Sequence, residues 1–287
     1  MFRNICVIGL ASLGFALAAP FSLAQHAFMT DLCDPNQPLP ASASALVYDV
    51  ASVRPHPAGD GSMSISEPPH LARLTLTGVT MANIVQIAYG INEFQLFGGP
   101  SWLQSQRFDV LARSDSAAND VLAKLTPCQQ QLTKEHMLQL VLADRAHLTI
   151  HHGSKEVSGY GLVLAKSGPK FHESPPDPSD HPHSGGMTMR SSKLGYQLTA
   201  NSWSIDSFAG WLANETHSPV ANKTGLSAKY DLALQWSEDL AAAPSAGDAP
   251  YPQIFTDLQE QLGLKLEPTK APIDTVIIDH IDLPTAN

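Results

Sequence analysis

The sequence predicts an α+β fold of two repeated lobes, each with short helices packed on antiparallel or mixed β-sheets. Three observations predict it. Short stretches of alternating apolar and polar residues are broken by short stretches with helical apolar spacing. Residues 74–112, LTLTGVTMANIVQIAYGINEFQLFGGPSWLQSQRFDVLA, are echoed by residues 197–235, QLTANSWSIDSFAGWLANETHSPVANKTGLSAKYDLALQ. The same order of elements then follows each copy: helix end, short strand, turn, longer strand.

Residues 46–54 open the first lobe as a strand, with Val47 and Asp49 alternating against Tyr48 and Val50. Residues 55–69 hold Pro, Gly and Ser and read as a loop. Residues 72–77 alternate as a second strand. Met81, Ile84, Val85 and Ala88 then mark one face of a helix behind a possible N-cap, Thr80. Its counterpart has Ile205, Phe208, Ala209 and Leu212 behind Ser204. Residues 94–97 are a strand and Gly98-Gly99-Pro100 a tight turn, since Gly supplies φ > 0 and Pro fixes the next φ. Trp102 and Leu103 plug the core edge. Residues 107–112 are a strand opened by Phe108-Asp109, as Tyr230-Asp231 opens the equivalent strand. Residues 114–127 give no clear pattern. A helix follows over 133–145, with Met137, Leu138, Val141 and Leu142 inward. Residues 148–151 and 160–165 read as two strands connected through Gly153-Ser154.

Residues 171–193 hold Pro175, Pro176, Pro178, Pro182, Gly185 and Gly186 and read as a linker. The expected organisation is therefore a first lobe over 46–170, this linker, and a second lobe over 194–287. Residues 237–252 form another loop. Phe255, Leu258 and Leu262 make a short helical face stopped by Gly263. Residues 264–266 are a strand, 268–272 a turn and 275–281 the last strand.

At the N-terminus Arg3 precedes an apolar run over residues 5–19, and Ser22 and Ala24 stand at the small-residue positions of a cleavage site. The run is short of the ~20 apolar residues a membrane span needs. Residues 1–24 are expected to be a signal peptide, the mature chain to carry no membrane span, and the protein to be periplasmic or secreted. Removing them takes one arginine and no acid, leaving 16 basic against 27 acidic side chains, a net charge of −11. That balance argues against nucleic acid or an anionic membrane as the main partner. Cys33 and Cys128 remain after cleavage, in an oxidising compartment. They form either a disulfide or two separate thiols.

The stretches YDVASVRP, LTLTGVTMANIVQIAYG, FGGPSWLQSQRFDVLA, VLADRAHLTIHH, YGLVLAKSGPK, NKTGLSAKYDLALQW and FTDLQEQLGLKLEPTKAPIDTVIIDHI occur in that order. From residue 48 onward the chain resembles a large paralogous family of secreted proteins of soil bacteria, especially acidobacteria, that carry a domain of unknown function. The resemblance implies a signal peptide. In some relatives a similar domain follows a membrane metallopeptidase of the antibiotic-sensor type, which implies an extracytoplasmic sensing or binding role by analogy. It carries over no catalytic residue. Ala146 departs from the family pattern, which tends to have an aromatic there.

Lys223-Thr224-Gly225 matches the KTG triplet of penicillin-binding enzymes, and Ser167 and Lys170 formally match their S-x-x-K. Gly168-Pro169 between the latter two opposes the required helix, so KTG reads as a turn. His151, His152, His172, His181 and His183 could bind a transition metal, but no ligand framework surrounds them. Asp109 and Asp231 could do acid–base work. Equivalent acids in two repeats more often cap a turn or pair with the adjacent Arg107 or Lys229. Trp102 and Trp203 are the candidate ligand-binding residues, lining a cleft between lobes, with core packing as the alternative for these and for Trp211 and Trp236. The expected function is an exported binding or interaction module for an extracytoplasmic ligand, with no cofactor, no metal and no catalytic set. The alternatives are a hydrolase of cell-wall or polymer substrates and a structural envelope protein.

Overall fold

A computed structural model describes residues 38–175, 186–192, 195–237 and 252–284. The first half runs α1 (Ala41–Ser44), β1 (Val50–Pro55), β2 (Ser64–Ser66), β3 (Arg73–Thr80), α2 (Met81–Tyr89), β4 (Leu96–Gly98), β5 (Arg107–Arg113), α3 (Ser116–Leu122), α4 (Pro127–Ala146) and β6 (Thr149–Leu164). The second runs β7 (His172–Glu173), β8 (Gly186–Ser192), β9 (Gly195–Ser204), α5 (Ile205–Glu215), β10 (Val220–Asn222), β11 (Lys229–Trp236), α6 (Pro252–Asp257), a π-helical turn (Leu258–Leu262) and β12 (Leu264–His280).

The fold is α+β, and its two halves repeat one plan. The first sheet has the order β1-β5-β3-β2 and the second the order β7-β11-β9-β8. Their registers coincide residue by residue. Arg73 faces Arg113 and Leu74 faces Ala112 in one; Gln197 faces Gln235 and Leu198 faces Leu234 in the other. Both helices start from the cap the pattern suggests: Thr80 accepts from the Asn83 N–H at 3.2 Å, and Ser204 from the Ser207 N–H at 3.0 Å.

Both halves also carry the same bulge one turn before that cap. The register slips between Leu76 and Val79 on β3, and opposite Tyr230 and Leu232 on β9. The bulged residues are Gly78 and Ser202, both left-handed at φ 63° and 58°. An extra residue in the strand leaves its N–H without a ladder partner. The aromatic–Asp pair supplies the acceptor: Gly78 N–H donates to Asp109 at 2.8 Å, and Ser202 N–H to Asp231 at 2.9 Å. A second donor steadies each carboxylate, His56 Nδ1 at 2.7 Å and the Ser174 hydroxyl at 2.5 Å. Asp231 is held below the usual carboxylate range, first by Ser174 and then by the Ser202 N–H.

A third sheet, β10-β6-β12-β4, joins the halves. β6 and β12 pair antiparallel along their whole length, from Ile150 opposite Ile278 to Leu164 opposite Leu264. Each then takes a short parallel strand from the other half. Leu96 of β4 faces Val276, and Val220 of β10 faces Tyr160. These two pairings are images of one another, so a pseudo-two-fold axis crosses the ribbon beside the Glu156–Pro272 pair.

The exchange completes both cores. Ile278 and Ile281 from the second half are buried with Phe108, Ile84, Val85 and Leu138 of the first. Leu162 from the first half is buried with Trp203, Phe208, Trp211 and Leu264 of the second. Each such aliphatic side chain contributes about 1.5–3 kcal/mol by leaving water.

Four expectations change. Residues 148–165 and 264–281 each form one long strand, because ribbon pairing overrides the turn residues. Pro268 faces Tyr160, whose N–H turns away from the ribbon to the Pro219 carbonyl. That pair is therefore a non-hydrogen-bonded one, where a missing N–H breaks no ladder bond. Residues 94–97 become a 3₁₀ turn (Glu93–Gln95) followed by β4. The 133–145 helix begins at Pro127, behind a Thr126–Gln129 capping box. The ends of the expected linker are strands β7 and β8 of the second sheet. The expected signal peptide lies outside the described residues.

The two bulges make a paired test. A Cβ on Gly78 would lie 2.0 Å from the Ser62 carbonyl oxygen, so Gly78→Ala adds a clash to a left-handed conformation. It should cost about 2–4 kcal/mol in urea unfolding. Ser202 already carries a Cβ there, so Ser202→Gly should change stability by less than about 1 kcal/mol. Equal losses at both positions would contradict a shared bulge.

Candidate functional site

Of the two tryptophans expected to line a cleft, Trp203 sits in the second core and Trp102 packs against the edge of the first. Trp203 is 1% exposed and faces Tyr230 on β11. It packs with Phe208 and Leu212 and cannot reach a ligand in a cleft. Trp102 lies half-buried on a 3₁₀ turn (Ser101–Gln104), edge-on to Phe108 at 6.2 Å. The burial of Trp203 agrees with the core-packing alternative. The structure does not bring the two indoles together.

KTG is a turn closed by its own side chains. The Asn222 carboxamide oxygen accepts from the Thr224 N–H and hydroxyl, and the Thr224 hydroxyl accepts from the Leu226 N–H. Gly225 takes φ 75°, and Lys223 reaches the Thr269 hydroxyl at 3.1 Å. Lys170 donates to the Glu260 carbonyl at 2.6 Å. Asp109 and Asp231 hold the bulges. His151 pairs with Asp279 at 2.8 Å. His181 and His183 lie outside the described residues, and among those described no group of three or more His, Cys, Asp or Glu could hold a metal ion. Cys128 is disulfide-bonded; its expected partner, Cys33, lies outside the described residues.

A family model described as "Protein of unknown function (DUF3738)" matches residues 82–281, which cover β4 and β10, both long strands and most of both cores. The chain belongs to that family. No curated protein and no solved structure matches it. In this DUF3738 protein, no helix among the described residues is long and apolar enough to cross a membrane.

Since the halves share one scaffold, chemistry can be sought where they differ. The first place to look is α4. Its N-terminal half, whose counterpart falls largely outside the described residues, buries polar side chains: Gln130, Gln131, Thr133, Lys134 and Glu135. Gln131 donates to Glu135 at 2.8 Å, and Lys134 donates to the Pro68 carbonyl at 2.8 Å. The Tyr48 hydroxyl is buried with no hydrogen-bond partner among the described residues. Glu67 adds its charge to all three ionisable neighbours. Burial pushes the Glu135 carboxyl up to about 7, helped by Glu67 and opposed by Gln131. Burial lowers Lys134 and raises Tyr48.

The second is the open face of the first sheet. Along β5 the inward residues are Phe108, Val110 and Ala112; the outward ones are Arg107, Asp109, Leu111 and Arg113. β1 adds Val50, Ser52 and Arg54, and β3 adds Arg73, Thr75 and Thr77. Four of the chain's seven arginines therefore share one sheet face. Arg73 and Arg113 are direct cross-strand partners, an arrangement that like charges disfavour. In the second sheet that pair is Gln197 and Gln235, and Leu111 is replaced by Ala233. The scaffold does not require arginine there. This face is the candidate site. Sequence reading missed it because the arginines are scattered over sixty residues and meet only through the β1-β5-β3 order.

The buried acid makes stability depend on pH. A carboxyl at about 7 in the folded chain, against 4.5 for an ordinary glutamate, gives stability that is full below pH 4.5 and lost as pH rises through 7. Glu135→Gln removes that loss. The variant should exceed wild type by ~3 kcal/mol at pH 8 and match it near pH 4 in urea titrations. A constant difference across this range would contradict it.

Proposed function

We propose that this DUF3738 protein is an exported binding module that engages an acidic component of the cell envelope or its surroundings through the open face of the first sheet. The observation that carries the reading is the Arg73–Arg113 pair, set on an exposed face where the second half of the same scaffold has Gln197 and Gln235. Two positive charges on facing positions are a standing electrostatic cost that a negatively charged partner relieves. Export is supported by the apolar run over residues 5–19 and the Ser22-Leu23-Ala24 site. The disulfide at Cys128 fits an oxidising compartment. The resemblance to secreted proteins of soil bacteria, some with the domain behind a sensor-type metallopeptidase, extends the reading to extracytoplasmic sensing.

Two measurements test it. Protein recovered from outside the cytoplasm should begin at Gln25. Mature protein mixed with isolated envelopes should co-sediment, and Arg73→Gln/Arg113→Gln should stay in the supernatant with an unchanged melting temperature. Release of soluble fragments from the envelopes would favour a hydrolase instead. Equal sedimentation of variant and wild type would remove the arginine face from the function.

A further inference from the structure

We infer that the ligand of this face is an anionic polysaccharide, one whose sugars bear carboxylate or sulfate groups; the inference rests on the binding reading above. The face has three chemical components. Its cations are all arginine: Arg73 and Arg113 at one end, Arg54 and Arg107 at the other. Arg107 and Arg113 are six residues apart on one strand, about 20 Å, so the two ends would meet charges well separated along a chain. Guanidinium groups bind carboxylate and sulfate oxygens through two parallel N–H bonds, which favours discrete oxyanion groups over diffuse negative charge.

Between the ends the face is hydroxylic. Ser52, Thr75 and Ser66 lie in one row with Leu111, and Ser64 faces Thr77 in the next. Such a floor offers donors and acceptors to sugar hydroxyls. Leu111, 43% exposed, and Val50, 46% exposed, supply apolar surface on it, suited to the C–H face of a sugar ring. Asp109 stands on the face itself, opposite Arg54, and is engaged by the Gly78 N–H and His56. At the rim Asp60 accepts the Ser62 N–H and Asp49 the Asp115 N–H.

Nucleic acid and an anionic membrane fit less well. Sheet faces that bind single-stranded nucleic acid present aromatic rings on which bases stack, and the outward residues of β1, β3 and β5 include none. Membrane attraction works through clusters of basic residues near the surface, weighed against the repulsion of nearby acids. Here the four arginines form no cluster: they stand as two pairs at opposite ends of β5, with Asp109 between them.

The test is calorimetric titration of the mature protein with polygalacturonate, neutral dextran, polyphosphate and oligo(dT), in low and moderate salt. Wild type should bind polygalacturonate and not dextran, with affinity falling as salt rises. Arg73→Gln/Arg113→Gln should weaken that binding at least tenfold. The variant copies the Gln197–Gln235 pair that the second sheet already carries, and an unchanged melting temperature confirms folding. Leu111→Ala, again copying the second half through Ala233, should weaken polygalacturonate while leaving any polyphosphate binding unchanged. Tighter binding of polyphosphate or oligo(dT), lost in the arginine variant, would overturn the polysaccharide and leave the binding face standing. Binding to no anionic polymer, or binding indifferent to the arginine variant, would overturn both.

Discussion

The β6–β12 ribbon is the interaction on which the rest of the structure depends. Sixteen residues of one half pair with the last strand of the other, and neither core is complete without the partner's end of it. Leu162 is delivered to the second core by a strand that begins in the first, and Ile278 makes the reverse journey. Removing either side chain would leave a cavity in a core that its own half cannot refill. The pairing also explains how two small lobes, each with short strands, avoid long open edges. β4 and β10 each cover part of the ribbon, and the remaining edge of β12 carries prolines, which discourage further pairing.

The repeated bulge ties sequence to this architecture at a finer scale. A strand that runs directly into a helix must turn sharply, and an extra left-handed residue just before the cap supplies the turn. Its unpaired N–H then needs an acceptor, and the acid after the aromatic residue of the next strand provides one. Phe108 and Tyr230 fill their cores while Asp109 and Asp231 secure the bulges. The pair is a structural module, so two acids at matched positions are explained without catalysis. The different second donors, His56 and Ser174, show that the module tolerates change wherever the acceptor itself is kept.

Much of the fold was legible in the sequence because its signals are local. Helical spacing and caps at Thr80 and Ser204, the Gly98-Gly99-Pro100 turn and the aromatic–Asp echo all act within a few residues. The long strands were not legible, since Gly153 and Pro268–Pro272 carry turn signals that only a partner strand overrides. The start of α4 was missed because its first half buries glutamine, lysine and glutamate, which mimic a solvated loop in an apolar-periodicity search. The tryptophans are ambiguous for a related reason. An indole suits a ligand platform and a core equally well, and only the register of Trp203 opposite Tyr230 decides. The arginine face escaped because no local pattern records which strands become neighbours.

Tandem duplication also permits a contact that a symmetric dimer cannot make. Glu93 and His217 hold equivalent places after α2 and α5, yet they meet each other at 2.8 Å. Two equivalent groups can touch only near the pseudo-two-fold axis. In a symmetric dimer that axis would set like beside like, glutamate against glutamate or histidine against histidine. In one chain the two positions differ, and the repulsion becomes an ion pair: Glu93 is held below its usual range chiefly by His217, and His217 is held above its own chiefly by Glu93. The pair's contribution is lost in acid as Glu93 protonates and in base as His217 deprotonates. Both side chains are more than half exposed, so solvent and salt keep it small. The same freedom separates Arg73 and Arg113 from Gln197 and Gln235: once both copies lie in one chain, one face can change its charge while the other keeps the fold.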